Sequence, residues 1–491
     1  MLRSWSLKMD FSKASGLAVY LQITQKIIAD IQLGRLPPST MMPGSRKLAD
    51  SLKVNRKTIV QAYDELVAQG WLSTESRRGT FVSAKLPGFL LPTNDPSSPV
   101  TETSGTEIVT YTQSATIEEA PSLQGNIIDF NDGIPDTRLI PFEVLSRAFR
   151  HALVVSARAN RLGYDDPKGT LALRKAIVAM LNMERGLAVG VDNICMVRGS
   201  QMGIFLAARL LTRANDCIVF ERLTYPPARE AFKSCGAKVL SVGQDEYGIN
   251  VEELEQLCKQ QAIRAVYVTP HHQFPTTVMM TAERRLKLLI LAEQYDFAIV
   301  EDDYDHEFHF LHHPVFPLAS TDRSKRVIYV GSLSKVLAPG LRIGYVVATT
   351  AFIERCAAEI MLIDRQGNSV TELAVTELMD AGEIKRHIRR TFKIYSERRA
   401  TLEQLIHQEL SSLVDFELPS GGLAFWLRLK KPITIDNLAE RALAQKVHIL
   451  PGSLFTDANE ATQAIRLGFA SLNKRELTEG IQRLKRVLST P

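Results

Sequence analysis

The stretch GSLSKVLAPGLRIGY, Gly331 to Tyr345, follows the strand-like run RVIYV and sets Lys335 among small hydroxyl residues, with Arg342 seven residues further on. A lysine in a surface loop is ordinarily solvated, so the surroundings of this one decide its meaning. From Ile127 onward, short apolar runs (ICMV, CIVF, KVLSV, AVYVTP, AIVED, VIYVGS and GYVVAT) alternate with helical spacers such as TAERRLKLLILAEQYD. This alternation predicts a large α/β domain with a mostly parallel sheet covered on both faces. Past about residue 365 it gives way to a long helical stretch, then to FELPSGGLAFWLRL and AIRLGFA, which predict a smaller α+β C-terminal subdomain.

Ligands of parallel α/β sheets gather beyond the C-terminal ends of the strands. The residues that follow each run are therefore the candidates for a site. After ICMVR comes GSQMG, with Ser200 and Gln201, where glycines opening a helix can cradle a phosphate on free N–H groups. After CIVFE comes Tyr225, after AVYVTP come His272 and Gln273, after AIVE come Asp302 and Tyr304, and after VIYV come Ser332, Ser334 and Lys335. Together these suit pyridoxal 5′-phosphate (PLP), which needs an amine for its aldehyde, a phosphate cup, an acid for its pyridine nitrogen and a stacking ring. Lys335 would form the imine, Asp302 would keep the ring nitrogen protonated and Tyr304 would bond the phenolic oxygen. Tyr225 would stack, while Ser200, Gln201, Ser332, Ser334 and the forked guanidinium of Arg342 would share the phosphate.

With YDDPKG, EDDYD, GSLSK followed by Arg342, and AIRLGFA, the region from Ile127 to the C-terminus resembles the fold-type I aminotransferases. The resemblance implies that Lys335 is the catalytic Schiff-base lysine and that sites form at a dimer interface. It further implies that Tyr164 reaches the phosphate of a partner subunit, that Arg466 binds the α-carboxylate of an amino-acid ligand, and that His272 and Gln273 lie near the ring. Three positions depart from the family pattern. Thr277 ends a turn usually closed by glycine, Ala424 replaces a larger polar residue, and YPP at Tyr225 lacks a basic residue that some relatives carry. The histidines of DHEFHFLHH (His306, His309, His312 and His313) fit no standard ligand spacing and read as solvated loop residues, so no metal is expected.

The N-terminal part reads differently. Tyr20, Ile23, Ile27 and Ile31 follow a helical spacing, SRKLADSL fits a second helix with Ser45 as its cap, and RKTIVQAYDELVAQG fits a third that stops at Gly70. WLST, ESRRG and TFVS then spell a β-hairpin. Helix, helix, turn, helix and basic hairpin make a winged helix-turn-helix, mainly α. Residues 1–86 carry thirteen Lys/Arg against six acids, whereas residues 87–130 carry six acids and no Lys or Arg, a change of sign that marks a boundary. Asn55, Arg56, Lys57 and Thr58 open the third helix with donors and positive charge suited to a major groove, and Arg77 and Arg78 at the hairpin tip suit a neighbouring groove or backbone. The stretch PGSRKLADSLKVNRKTIVQAYDELVAQGWL…GTFV resembles the GntR-type winged helix, which implies that Arg46, Arg56 and Gly79 face DNA; Ser45 falls in the same stretch.

The expected organisation is thus a DNA-binding domain at 1–86, a Pro/Ser/Thr-rich flexible linker at 87–126 and an aminotransferase-like PLP-binding domain at 127–491. That layout resembles the MocR-type transcriptional regulators. It implies a PLP-dependent regulator that senses PLP or an amino compound through aldimine chemistry at Lys335, works as a head-to-tail homodimer and binds paired operator sites. A genuine aminotransferase with a regulatory N-terminal domain is the alternative. Five scattered cysteines without C-x-x-C spacing argue against a disulfide framework. With no long apolar run and no signal-peptide pattern, no membrane partner and a cytoplasmic location are expected.

Overall fold

Ile23, Ile27 and Ile31 recur at one-turn spacing, and in a computed structural model of the chain helix α1 (Val19–Gln32) buries all three. The structure describes residues 17–86, 126–310, 315–431, 435–456 and 462–489. It falls into two units, Met1–Thr112 and Gln113–Pro491. In the first unit α2 (Ser45–Leu52) contributes Leu48, Ala49 and Leu52 to the core, and α3 (Arg56–Ala68) contributes Ile59, Ala62, Tyr63 and Leu66. Leu72 and Val82, paired across the antiparallel hairpin β1 (Leu72–Glu75) and β2 (Gly79–Val82), close it. Gly79, at φ +117°, lies in the left-handed region that favours glycine and lets the hairpin turn.

One expectation for this unit is corrected. Ser45 does not cap α2: the helix starts one residue earlier than that role requires, with Gly44 at the cap position and Ser45 inside the first turn. The Ser45 hydroxyl instead accepts from Arg56 Nε at 3.4 Å, which links the starts of α2 and α3. The true side-chain cap is Asn55, whose Oδ1 accepts from the Lys57 amide at 2.8 Å and satisfies one of the orphan donors that open α3.

The second unit lays down β3 (Ile128–Asp129), β4 (Ile194–Val197), β5 (Cys217–Glu221) and β6 (Lys238–Val242). A two-residue hairpin, β7 (Gln244–Asp245) and β8 (Gly248–Ile249), precedes β9 (Ile263–Val268), β10 (Ala298–Asp303), β11 (Val327–Ser332) and β12 (Gly344–Val347). Seven strands form one sheet in the order β4-β12-β11-β10-β9-β5-β6. Only β12 is antiparallel to its neighbours. Successive residues of β11 feed opposite cores, Val327 and Tyr329 into one and Ile328 and Val330 into the other, so both faces are covered and the run is apolar throughout.

The smaller subdomain holds β13 (Val414–Phe416), β14 (Ala424–Leu429), β15 (Val447–His448), β16 (Leu450–Pro451) and β17 (Ala464–Gly468). Four of these make an antiparallel sheet in the order β13-β14-β17-β16, while β15 pairs in parallel with β3. The long helix Glu383–Glu409 packs on the helix Lys474–Ser489 beside it. The expected linker, save Asn126, and His312 and His313 lie outside the described residues. Among the described residues no helix is long and apolar enough to cross a membrane.

Candidate cofactor pocket and nucleic-acid interface

β11 and β10 are neighbours in the sheet, so their C-terminal ends carry Ser332 and Asp302 to the same edge. The chain leaving β11 turns tightly, with the Ser334 amide donating to Ser332 Oγ at 3.0 Å. Lys335 follows, with its Nζ 3.6 Å from Asp132 Oδ1. Asp302 Oδ2 accepts from the Tyr267 hydroxyl at 2.7 Å, whereas its Oδ1 is buried with no partner. Burial pushes the Asp302 carboxyl up to about 7, against the pull of the Tyr267 hydrogen bond and the Lys335 charge. Tyr304 donates to the His272 carbonyl at 3.1 Å, and burial lifts its hydroxyl well above the usual range.

Gly199 opens the helix Gly199–Leu211 at φ +75°, and a Cβ there would fall 2.7 Å from the Arg342 guanidinium. The missing side chain therefore lets Arg342 lie against the helix N-terminus, where its Nη2 donates to the Arg198 carbonyl at 2.8 Å. Ser200 and Gln201 sit in the first turn of that helix. Gln201 Nε2 donates to the Pro227 carbonyl at 3.0 Å, and its Oε1 is buried without a partner, as is Ser334 Oγ. Tyr225 stands at the cap position of the helix Pro226–Ser234, its ring edge-on to Phe274 with centroids 5.2 Å apart. Burial raises the Tyr225 hydroxyl, and the charges that act on it are those of Asp132, Asp302 and Arg342, so one ring has all three around it.

Arg466, in β17, is only 1% exposed. Its guanidinium donates to the Pro275 carbonyl and, at 3.0 Å, to the Asp132 carbonyl, and lies 4.5 Å over the Phe274 ring. Asp132 thus touches both cationic groups, Arg466 through its backbone and Lys335 through its carboxylate. Sequence reasoning missed Asp132 and Tyr267. Tyr267 carries a signal, since it lies inside the strand beside Asp302, but Asp132 reaches the site only through the tertiary fold.

Other predicted residues lie differently. Tyr164 is not among the residues gathered here: its ring is 80% exposed, with Arg365 at 4.8 Å. Gln273 directs its Nε2 to the Leu223 carbonyl at 2.6 Å, the Phe274 carbonyl at 2.7 Å and Glu221 at 3.3 Å, which fixes a loop. His272 is buried, with Nδ1 2.7 Å from Asp305 Oδ1. Thr277 takes φ +64°, so the chain keeps a left-handed turn residue here without glycine.

The reading of solvated loop histidines is wrong for His306 and His309, each 7% exposed. The segment folds inward because Asp303 holds His306 Nδ1 at 2.8 Å and because His309 bridges to Gly421 in the smaller subdomain. Both meet His271, which burial and its neighbour His272 hold well below the usual imidazole range and hence neutral.

On the first unit Arg46, Asn55, Arg56 and Lys57 are exposed and Thr58 is half-buried at the start of α3. Arg77 and Arg78 are exposed at the hairpin tip, where Arg78 pairs with Glu75 at 2.6 Å and lies over Phe81. An exposed helix N-terminus beside a basic hairpin is the arrangement that winged helices present to a groove and its flanking phosphates.

Comparison with known proteins agrees with both halves. Residues 19–82 match the model of bacterial regulatory proteins of the gntR family, and residues 125–484 match that of aminotransferase class I and II. The chain is 30% identical to the HTH-type transcriptional regulator TauR of Rhodobacter capsulatus over 95% of its length and 96% of TauR. It is 28% identical to the “Probable rhizopine catabolism regulatory protein MocR” of Rhizobium meliloti, covering 95% of this chain and 93% of that one. Among solved structures, the kynurenine aminotransferase of Pyrococcus horikoshii matches 74% of the chain and 91% of its own with a TM-score of 0.69 and 30% identity. Its relatives therefore include both regulators and aminotransferases. The chain belongs to the MocR-type regulators, in which a GntR-type DNA-binding unit is fused to a fold-type I aminotransferase-like domain.

Proposed function

We propose that the protein is a PLP-dependent, DNA-binding transcriptional regulator, with residues 1–86 reading DNA, 87–126 serving as a tether and 127–491 sensing PLP or an amino compound. The observation that carries the reading is the buried oxygen Asp302 Oδ1, left without a partner while the Lys335 charge acts on the same carboxyl. A buried carboxylate oxygen without a donor is costly unless a cationic group arrives, and a protonated pyridine nitrogen is such a group.

The residues present fit the cofactor. Asp302, bonded by Tyr267, would face the ring nitrogen, Tyr304, bonded to the His272 carbonyl, would reach the phenolic oxygen, and Tyr225 would provide a ring face. The helix start at Gly199, with Ser200, Gln201, Ser332, the unpartnered hydroxyl of Ser334 and the fork of Arg342, would form the phosphate cup. When bound, PLP supplies an aldehyde open to amines and a ring that withdraws electron density. Lys335 would offer the amine, with Asp132 3.6 Å away to orient it. Arg466 would take the carboxylate of an amino compound by releasing its backbone carbonyl partners, one of which belongs to Asp132, the neighbour of Lys335. A ligand shifts the equilibrium only through its differential affinity for the two states. Tyr164, exposed on its own subunit, would serve the partner's phosphate cup in a head-to-tail homodimer, and two winged helices per dimer would suit paired operator sites.

The same set of groups also supports slow transamination, the second reading, and the 31% identity to the aromatic-amino-acid aminotransferase 1 of Thermococcus litoralis over 73% of the chain favours keeping it in view. Two experiments test the proposal. Borohydride treatment of PLP-loaded protein followed by mass analysis should fix the cofactor on Lys335, and Lys335→Ala should abolish the adduct; an adduct that survives would sink the assignment. Turnover with a keto-acid acceptor at about 1–1000 per second would favour the enzyme reading over the regulator.

A further inference from the structure

Behind the candidate pocket, four histidines from two segments of the chain converge. His271 and His272 follow β9, and His306 and His309 follow β10, and all four are nearly or fully buried. Buried imidazole nitrogens normally have partners. Here both nitrogens of His271 are buried with none, and Asp305 Oδ2 is likewise unpartnered. Packing alone does not account for this much unspent donor and acceptor capacity in one place.

We propose that His271, His272 and His309 form a site for one divalent transition-metal ion, with Zn²⁺ the best fit, and that Asp305 is its outer carboxylate. One nitrogen from each histidine lies within 4.8 Å of the others. An ion bonded tetrahedrally at about 2.0–2.1 Å needs its nitrogens about 3.3–3.4 Å apart. His272 Nε2 and His309 Nδ1 already stand 3.5 Å apart, so only His271 has to close in. His272 turns its other nitrogen, Nδ1, to Asp305 at 2.7 Å, the carboxylate–histidine arrangement that orients metal-bound imidazoles and raises their basicity. The unpartnered Asp305 oxygen leaves buried acceptor capacity on the same side chain that holds His272. Glycine at 421 is part of the construction, since a Cβ there would lie 1.9 Å from His272 Nε2 and occupy the approach to it.

A rival grouping of His271, Asp303 and His306 also brings three donors within 4.8 Å. Two of its members, Asp303 and His306, are already engaged with protein. Asp303 accepts from His306 at 2.8 Å and from the Tyr329 hydroxyl at 2.6 Å and faces Arg185 at 3.6 Å. The ion would sit behind the His272 carbonyl that holds Tyr304, so it would brace one wall of the pocket without entering the chemistry there.

The test uses the full-length chain stripped with a chelator, its metal content checked, then titrated with Co²⁺ and with Zn²⁺ in competition. The expected result is one ion per chain, with a visible Co²⁺ spectrum of tetrahedral intensity that Zn²⁺ abolishes. His271→Gln and His309→Gln should each weaken Zn²⁺ binding by at least about 100-fold, Asp305→Asn by about 10–100-fold, and His306→Gln should leave it intact. No stoichiometric Co²⁺ or Zn²⁺ binding by the wild-type chain overturns the site, and this outcome does not depend on whether any variant folds. Loss with His306→Gln while His309→Gln still binds overturns the ligand set.

Discussion

Glu221 makes a demanding test of how burial acts in this fold. It ends β5, is 2% exposed, accepts a single long hydrogen bond from Gln273 Nε2 at 3.3 Å, and leaves Oε1 without a partner. Burial pushes its carboxyl up to about 8, only weakly opposed by Gln273. Because the folded pKa lies above the unfolded one, the folded state binds more protons between the two, and stability falls as pH rises through that window. From about pH 5.5 to about pH 8.5 the loss from this one group amounts to about 3 kcal/mol. Glu221→Gln keeps an oxygen for Gln273 and removes the ionisation, so the variant should gain about that much on the wild type across the same interval. The buried Glu301 and Asp302, both pushed up to about 7, tilt the stability of both proteins alike and cancel in the difference. Urea unfolding of the second unit, followed through Trp426 in a background with Trp5 and Trp71 replaced by Phe, measures it. Parallel stability–pH curves for the two proteins would refute the reasoning.

Other outcomes follow from single contacts. Arg56→Ala should weaken DNA binding and reduce the slope of log affinity against log salt by about 0.9 if the side chain meets one phosphate; an unchanged slope at physiological salt contradicts its role. Thr277→Gly should stabilise the second unit by about 1 kcal/mol in urea unfolding, since a β-branched residue in the left-handed region carries strain of about 1–2 kcal/mol, and a loss of stability would show that the turn is not strained. Gly421→Ala should cost at least about 1–3 kcal/mol in the same assay, because the added methyl collides with the His272 ring. Asn55→Ala should speed amide exchange at the start of α3, with a cap loss of about 1 kcal/mol, whereas unaltered exchange would deny the cap.

That Asp302, Tyr304 and the Ser332–Lys335 loop gather at one edge was legible in the sequence because they stand at or just beyond the ends of apolar runs, and strand ends of a parallel sheet meet at one edge whatever the details of packing. The isoleucines of α1 and the two-sided apolar pattern of β11 were legible for the same reason: periodicity records which face is buried. Asp132 was not legible, since it precedes Lys335 by some two hundred residues and meets it only once β3 has paired with β15. His306 and His309 were misread as solvated because their own segment reads as a polar loop, while in the fold they pack against His271 and His272 at the end of β9. Ser45 shows a third limit: a hydroxyl before a helix can cap it or sit one residue too late, and here the nearby Arg56 engages it instead.

The measurement that tests the central claim most directly is selection of bound fragments from the fragmented genome of the source organism by the purified protein, with and without PLP, at physiological salt. A cofactor-responsive regulator predicts enrichment of a paired-site sequence whose strength or spacing preference changes with PLP. No enrichment in either condition, from protein that carries PLP on Lys335, would contradict the account and leave the aminotransferase reading in its place.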